Sequence, residues 1–163
     1  MSSNNQLQNQ ITNAQSQISL NNTRIINARR QINNNMEAIA DLRALLSRLR
    51  NVQTQNIHDT NQYRQDMDVY GECVHKIGQI EHVRVATWCT RELNKRVNGS
   101  ARDAADIAIS QLPNLIENEI ERVEQEIRTR DSLISSLQGQ ISGWSNQNSN
   151  WNSQLATWRS QIT

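Results

Sequence analysis

Apolar residues recur at alternating intervals of three and four, without a break in phase, along both ends of this chain. From Leu7 the series runs through Ile11, Ala14, Ile18, Asn21, Ile25, Ala28, Ile32, Asn35, Ile39, Leu42 and Leu46 to Leu49. From Ile116 it runs through Ile120, Val123, Ile127, Arg130, Ile134, Leu137, Ile141, Trp144, Asn148, Trp151, Leu155 and Trp158 to Ile162. An average spacing of about 3.5 residues keeps one seam turned toward a partner helix, whereas a strand would need alternation. The expected fold is all-α: a long antiparallel helical hairpin, or coiled-coil stalk, with a small helical head inserted in the middle. Residues 1–53 are expected to form the N-terminal stalk helix, 54–113 the head, and 114–163 the C-terminal stalk helix pairing antiparallel with 1–53.

The two series also predict a register. If residues whose numbers sum to about 169 face one another, Asn21 falls opposite Asn148, and Trp144, Trp151 and Trp158 lie across from Ile25, Ile18 and Ile11. The small or polar layers Ala14, Asn21 and Ala28 leave room for the indoles, and alternating large and small layers make a packed core. A slip of one heptad would lose the Asn pair. Three Trp at a spacing of seven are therefore read as stalk core, with no cofactor site implied. Arg130 also occupies a seam position, from which its stem can pack while its head reaches water, Asp41 or Glu37.

Charge narrows the range of partners. Seventeen basic against sixteen acidic residues give a formal net charge of +1, so no strong field draws in nucleic acid or an anionic membrane. Charged residues are absent from residues 1–23 and again between Asp131 and Arg159. In an antiparallel hairpin these ends coincide as a neutral, amide-rich tip that cannot choose partners through flanking salt bridges. With 36% hydrophobic residues, no Phe and a mean hydropathy of -0.76, the composition suits a solvated helical protein better than a compact enzyme domain. The N-terminus lacks a basic stretch followed by an apolar core, and no apolar run approaches the length of a membrane span. A secreted or extracellular location reached without a cleaved signal peptide, or otherwise a cytoplasmic one, is expected.

The middle of the chain differs in composition, with both Tyr, all three His, both Cys and the fourth Trp between residues 53 and 113. Asp59 can cap a helix running through Tyr63, Met67 and Tyr70, which Gly71 or Gly78 could bend or end. A second helix is expected over residues 80–97. Asn98, Gly99 and Ser100 then form a stop and restart signal, with Gly99 as a left-handed C-terminal cap and Ser100 as the next N-cap. A short helix over 101–112 precedes Pro113, where a helix begins or kinks.

Chemistry-bearing residues gather in the same region. Cys73, His75, His82 and Cys89 supply two thiols and two imidazoles, the donor set of tetrahedral zinc, and His82 and Cys89 sit two turns apart on one helical face. Their spacing departs from the usual tight ligand pairs, because Cys73 and His75 point in different directions on a helix. Cys73 and Cys89 are also equidistant from residue 81, so a turn there could bring them together as a disulfide that stabilises by about 3 kcal/mol. Two separate buried thiols are the other alternative. Glutamates 117, 119, 121, 124 and 126, interleaved with Arg122 and Arg128, read as a solvated face with intrahelical pairs. Since no orienting third group, oxyanion loop or phosphate cradle accompanies a candidate nucleophile, no enzyme, cofactor or small-molecule ligand is expected.

The turn Val97-Asn98-Gly99, followed by Ser100-Ala101-Arg102-Asp103-Ala104-Ala105-Asp106-Ile107, resembles the WXG/LXG-associated helical hairpin proteins of Gram-positive type VII secretion. In that family a bulky residue, any residue and Gly precede a small-residue helix, and here Val97 stands where the family has Trp or Leu. The resemblance implies a helical adaptor or targeting partner, secreted beside a larger effector. Leu20, Ile26, Met36, Leu45, Val52, Leu115 and Leu133 lie outside the seam and could serve such a partner. The alternative is a structural coiled-coil stalk that pairs with itself in homo-oligomers or filaments.

Overall fold

The computed structural model describes residues 2–79 and 84–162, apart from the side chains of residues 2, 3, 84–86, 96 and 97. Three helices account for nearly all of them: α1 (Ser2–Gly78), α2 (Arg84–Val97) and α3 (Ser100–Ile162). The chain is all-α, an antiparallel helical hairpin in topology, and among the described residues there is no strand. It divides into two compact units, one of Met1–Arg43 with Gln125–Thr163 and the other of Ala44–Glu124.

In the first unit the N-terminal part of α1 packs against the C-terminal part of α3. Ile11, Ala14 and Leu155 are buried together, with Ile18, Trp151, Trp158 and Ile162 packed against them. The indoles of Trp151 and Trp158 thus pack against a cluster that contains the small Ala14. Ile25 and Ala28 are buried further along, and Trp144 borders a shallow hollow with Ala28 and Leu137. Asn21 is 2% exposed, and its amide donates to Asn148 Oδ1 at 3.0 Å and to Gln147 Oε1 at 3.3 Å. Arg130 does not turn to Asp41 or Glu37. Its Nη1 donates to Asn35 Oδ1 at 3.1 Å, and its Nε and Nη2 reach Glu126 Oε1 at 3.2 and 2.8 Å. Asn35 sits in the facing seam and Glu126 one turn back on the same helix, so the half-buried guanidinium is satisfied without crossing to a distant carboxylate.

The second unit contains the rest of α1, all of α2 and the start of α3. Val123 is fully buried at 0% exposure, with Ile116, Ile120 and Val74 also in the interior. Gln53 Nε2 donates to Glu117 Oε2 at 2.6 Å and Arg50 pairs with Glu124 at 2.9 Å, which sets the pairing of α1 with α3 here. The inward stripe of α1 does not end at residue 53. It continues in phase through Gln53, Asn56, Thr60, Tyr63 and Met67, all half-buried, and then passes by a second step of four to Gly71 and on to Val74. Polar side chains occupy several of these positions, which hides the stripe from a hydrophobic pattern while the geometry persists.

The helix boundaries follow from this. α1 runs unbroken to Gly78, so Asp59 is an interior residue that accepts a hydrogen bond from Gln55 Nε2 at 2.8 Å and does not act as a cap. α3 likewise passes through Pro113, where the ring removes one backbone donor yet the helix is carried on by its packing against α1. Ile109 and Pro113 share a surface hollow with Asn56 and Thr60 of the facing helix. α2 continues the antiparallel course, with Thr90 lying 3.5 Å from where a β-carbon on Gly78 would sit.

Gly99 is required at the break between α2 and α3 for a reason other than the expected one. Its backbone is not left-handed; a β-carbon there would collide with the carbonyl oxygen of Lys95. The carbonyl of Gly99 accepts from the amides of Arg102 and Asp103 at 2.9 and 3.3 Å, so Gly99 opens α3 from the N-cap position while the Asn98 amide closes α2 on Asn94 O at 2.8 Å.

Candidate functional site

Among the described residues, those singled out for chemistry do not come together. His82 lies outside the described residues. Cys73 is exposed on α1, His75 contacts Gln79 Nε2 at 2.9 Å through Nε2, and Cys89 is half-buried beside Trp88 and Leu93 on α2. Among the described residues no three His, Cys, Asp or Glu converge as metal ligands.

Both cysteines are free thiols, so of the two alternatives the disulfide is not formed, and Cys73 is exposed where the other had both thiols buried. The register supplies the reason. With Gly78 level with Thr90, Cys73 comes level with about Lys95, six residues along from Cys89. At 1.5 Å per residue that is an axial offset of about 9 Å, beyond the Cα separation a disulfide spans. Equal distance from residue 81 in sequence is not equal height when the register is centred elsewhere.

The notable surface is apolar. Of the residues outside the seam singled out from the sequence, Leu20, Ile26, Met36, Val52, Leu115 and Leu133 are exposed, while Leu45 is half-buried. Further apolar residues are exposed at Ile57, Val69, Tyr70, Trp88, Ile107 and Leu112. The first stretch of α3 orders several of them. Ala101, Ala104, Ile107, Ala108, Leu112 and Leu115 are all exposed and follow helical spacing, forming a second amphipathic stripe distinct from the seam. Leu115 is 62% and Leu112 42% exposed. The spacing was available in the sequence, but the alanines and the interruption by Pro113 obscured it.

Helical geometry fixes where the stripe lies. Arg50 with Glu124, and Gln53 with Glu117, mark one edge of the paired helices. Nine residues turn an α-helix through two and a half turns, to its opposite side. Leu115 is nine residues before Glu124, Ala108 nine before Glu117, and Asp59 nine after Arg50. The stripe of α3 and Asp59 of α1 therefore share the edge opposite the bridged one. Asp66, seven residues on from Asp59, lies on that edge too.

Past Leu115 the stripe ends in a charged pair. Arg122 donates to Glu119 through Nε at 2.8 Å and through Nη2 at 2.6 Å. This hydrogen bonding, reinforced by the charge of Arg122, holds the Glu119 carboxyl below its ordinary value of 4.5 against a smaller opposing effect of burial.

Comparison with protein-family models, curated proteins and solved structures found no match. Among the described residues no helix is long and apolar enough to cross a membrane.

Proposed function

We propose that this chain is a non-enzymatic helical adaptor or targeting partner, which packs beside another helical protein. The observation that carries this reading is the set of large apolar side chains left exposed outside the seam, above all the ordered stripe on α3. Scattered exposed apolar residues are ordinary, but a row at helical spacing over about four turns is the feature a docked helix uses. The resemblance around Val97 and Gly99 suggests that the partner is an effector exported by type VII secretion, with the pair leaving the cell together.

A structural stalk that forms homo-oligomers or filaments is the second reading. Its support is the uncharged surface of residues 2–23 and 132–158, which carries no repulsion against a second copy. Light scattering on the purified chain over a wide concentration range, with and without reductant, separates the two. A monomer at every concentration is expected for the adaptor; a stable dimer or larger assembly overturns it in favour of the stalk.

A further inference from the structure

The α3 stripe is bordered on one side by acid. In the register set by Gln53 and Glu117, Asp59 is level with about Gln111 and Asp66 with about Ala104, so both carboxylates stand alongside the stripe. They are exposed and lie two helical turns, about 10 Å, apart. Each accepts a hydrogen bond from a neutral amide, Gln55 at 2.8 Å and Gln62 at 3.0 Å, which leaves its charge in place. Glu119 at the far end is matched by Arg122, so the uncompensated charge concentrates where the apolar residues are densest. A second copy of this chain would bring its own Asp59 and Asp66 to the same edge, like charge against like.

We infer that this edge docks an amphipathic helix with an apolar stripe and Lys or Arg residues two turns apart along one flank. The bound helix lays its apolar face on Ile107, Ala108, Leu112 and Leu115, with the small Ala101 and Ala104 admitting larger partner side chains at one end. Its cations reach Asp59 and Asp66. The apolar contact supplies the attraction, and the paired charges set the choice and orientation of the partner. This inference rests on the adaptor reading and names the chemistry of its partner.

The test uses the full chain and two synthetic helical peptides of about four turns. They share one Leu stripe and differ in carrying either two Lys or two Glu, two turns apart, on the flank. Fluorescence anisotropy of the labelled peptides is expected to show the Lys peptide binding about tenfold more tightly than the Glu peptide. Asp59→Lys with Asp66→Lys is expected to reverse that order, and Leu115→Asp to abolish binding by both, with helix content unchanged by circular dichroism in each variant. Equal binding of the two peptides, or binding indifferent to Leu115→Asp, overturns the inference while leaving the adaptor reading intact. Absence of binding by either peptide, together with a dimer that Leu115→Asp dissociates, overturns both.

Discussion

Asn21 and Asn148 meet inside a largely apolar seam, with the Asn21 amide donating to Asn148 Oδ1 at 3.0 Å and the Asn148 amide passing on to Asn22 Oδ1 at 2.9 Å. Sliding the helices by one heptad would set each amide against an apolar side chain and leave its polar atoms unpaired. The pair therefore selects one alignment more than it adds stability. Asn148→Ala is expected to lower stability by about 1–2 kcal/mol, since it leaves Asn21 buried with fewer partners. The double variant Asn21→Leu with Asn148→Leu is expected to raise resistance to urea yet allow other pairings. Light scattering would register the latter as a mixture of assemblies; a uniform monomer would count against a register role.

At the break between α2 and α3, Gly99→Ala forces a methyl group onto the Lys95 carbonyl oxygen. The clash is with backbone, so relief requires the bend itself to change. A loss of more than about 1 kcal/mol is expected by urea denaturation. Gly71→Ala is the control, because a β-carbon there meets nothing within 4 Å and the helix gains about 1 kcal/mol in intrinsic propensity.

Pro113 sits inside α3 against local preference. Its ring denies the Ile109 carbonyl a helical donor, and the chain tolerates this within a 63-residue helix held by a facing partner. Pro113→Ala restores the donor and removes the ring, and is expected to stabilise the protein by about 1–3 kcal/mol. Thermal unfolding measures this directly; a lower melting temperature would mean that the ring's packing beside Asn56 and Thr60 outweighs the lost hydrogen bond.

These sites show which features were legible in the sequence. The seam of α1 through Leu49 and of α3 from Ile116 could be read because the apolar residues keep phase, and the Asn21 position because polar residues are rare in such a row. Beyond Leu49 the same stripe continues through Gln53, Asn56 and Thr60, where composition no longer reveals which side faces inward. A helix start at Asp59, or at Pro113, is what that loss of contrast suggests, whereas packing against the opposite helix carries α1 and α3 through both positions. The choice between a Cys73–Cys89 disulfide and two separate thiols is hidden from the sequence for a different reason: it depends on axial offset, which a local pattern does not encode. The exposed stripe on α3 was visible in spacing, but its shared edge with Asp59 and Asp66 needed the register of Gln53 with Glu117.

The two thiols differ in access, Cys73 being exposed and Cys89 half-buried beside Trp88 and Leu93. Alkylation of the native protein is expected to modify Cys73 faster than Cys89, with equal rates once the chain is unfolded. Peptide mass mapping over time reads both sites. Resistance of both to alkylation before reduction, followed by labelling of both after it, would show a disulfide and require a different register at the end of α1.

Glu119 and Arg122 form the charged end of the α3 stripe, and Arg122 holds the Glu119 carboxyl below its ordinary value. Folding thus favours the ionised form. The resulting stabilisation is present above the ordinary carboxylate value and is lost as the pH falls through the lowered one. Because the pair is solvent-exposed, added salt weakens the shift as well. Carbon-detected NMR titration is expected to place Glu119 below 4.5, and Arg122→Gln to move it back up toward that value. An unchanged Glu119 titration in that variant would assign the shift to something other than its guanidinium partner.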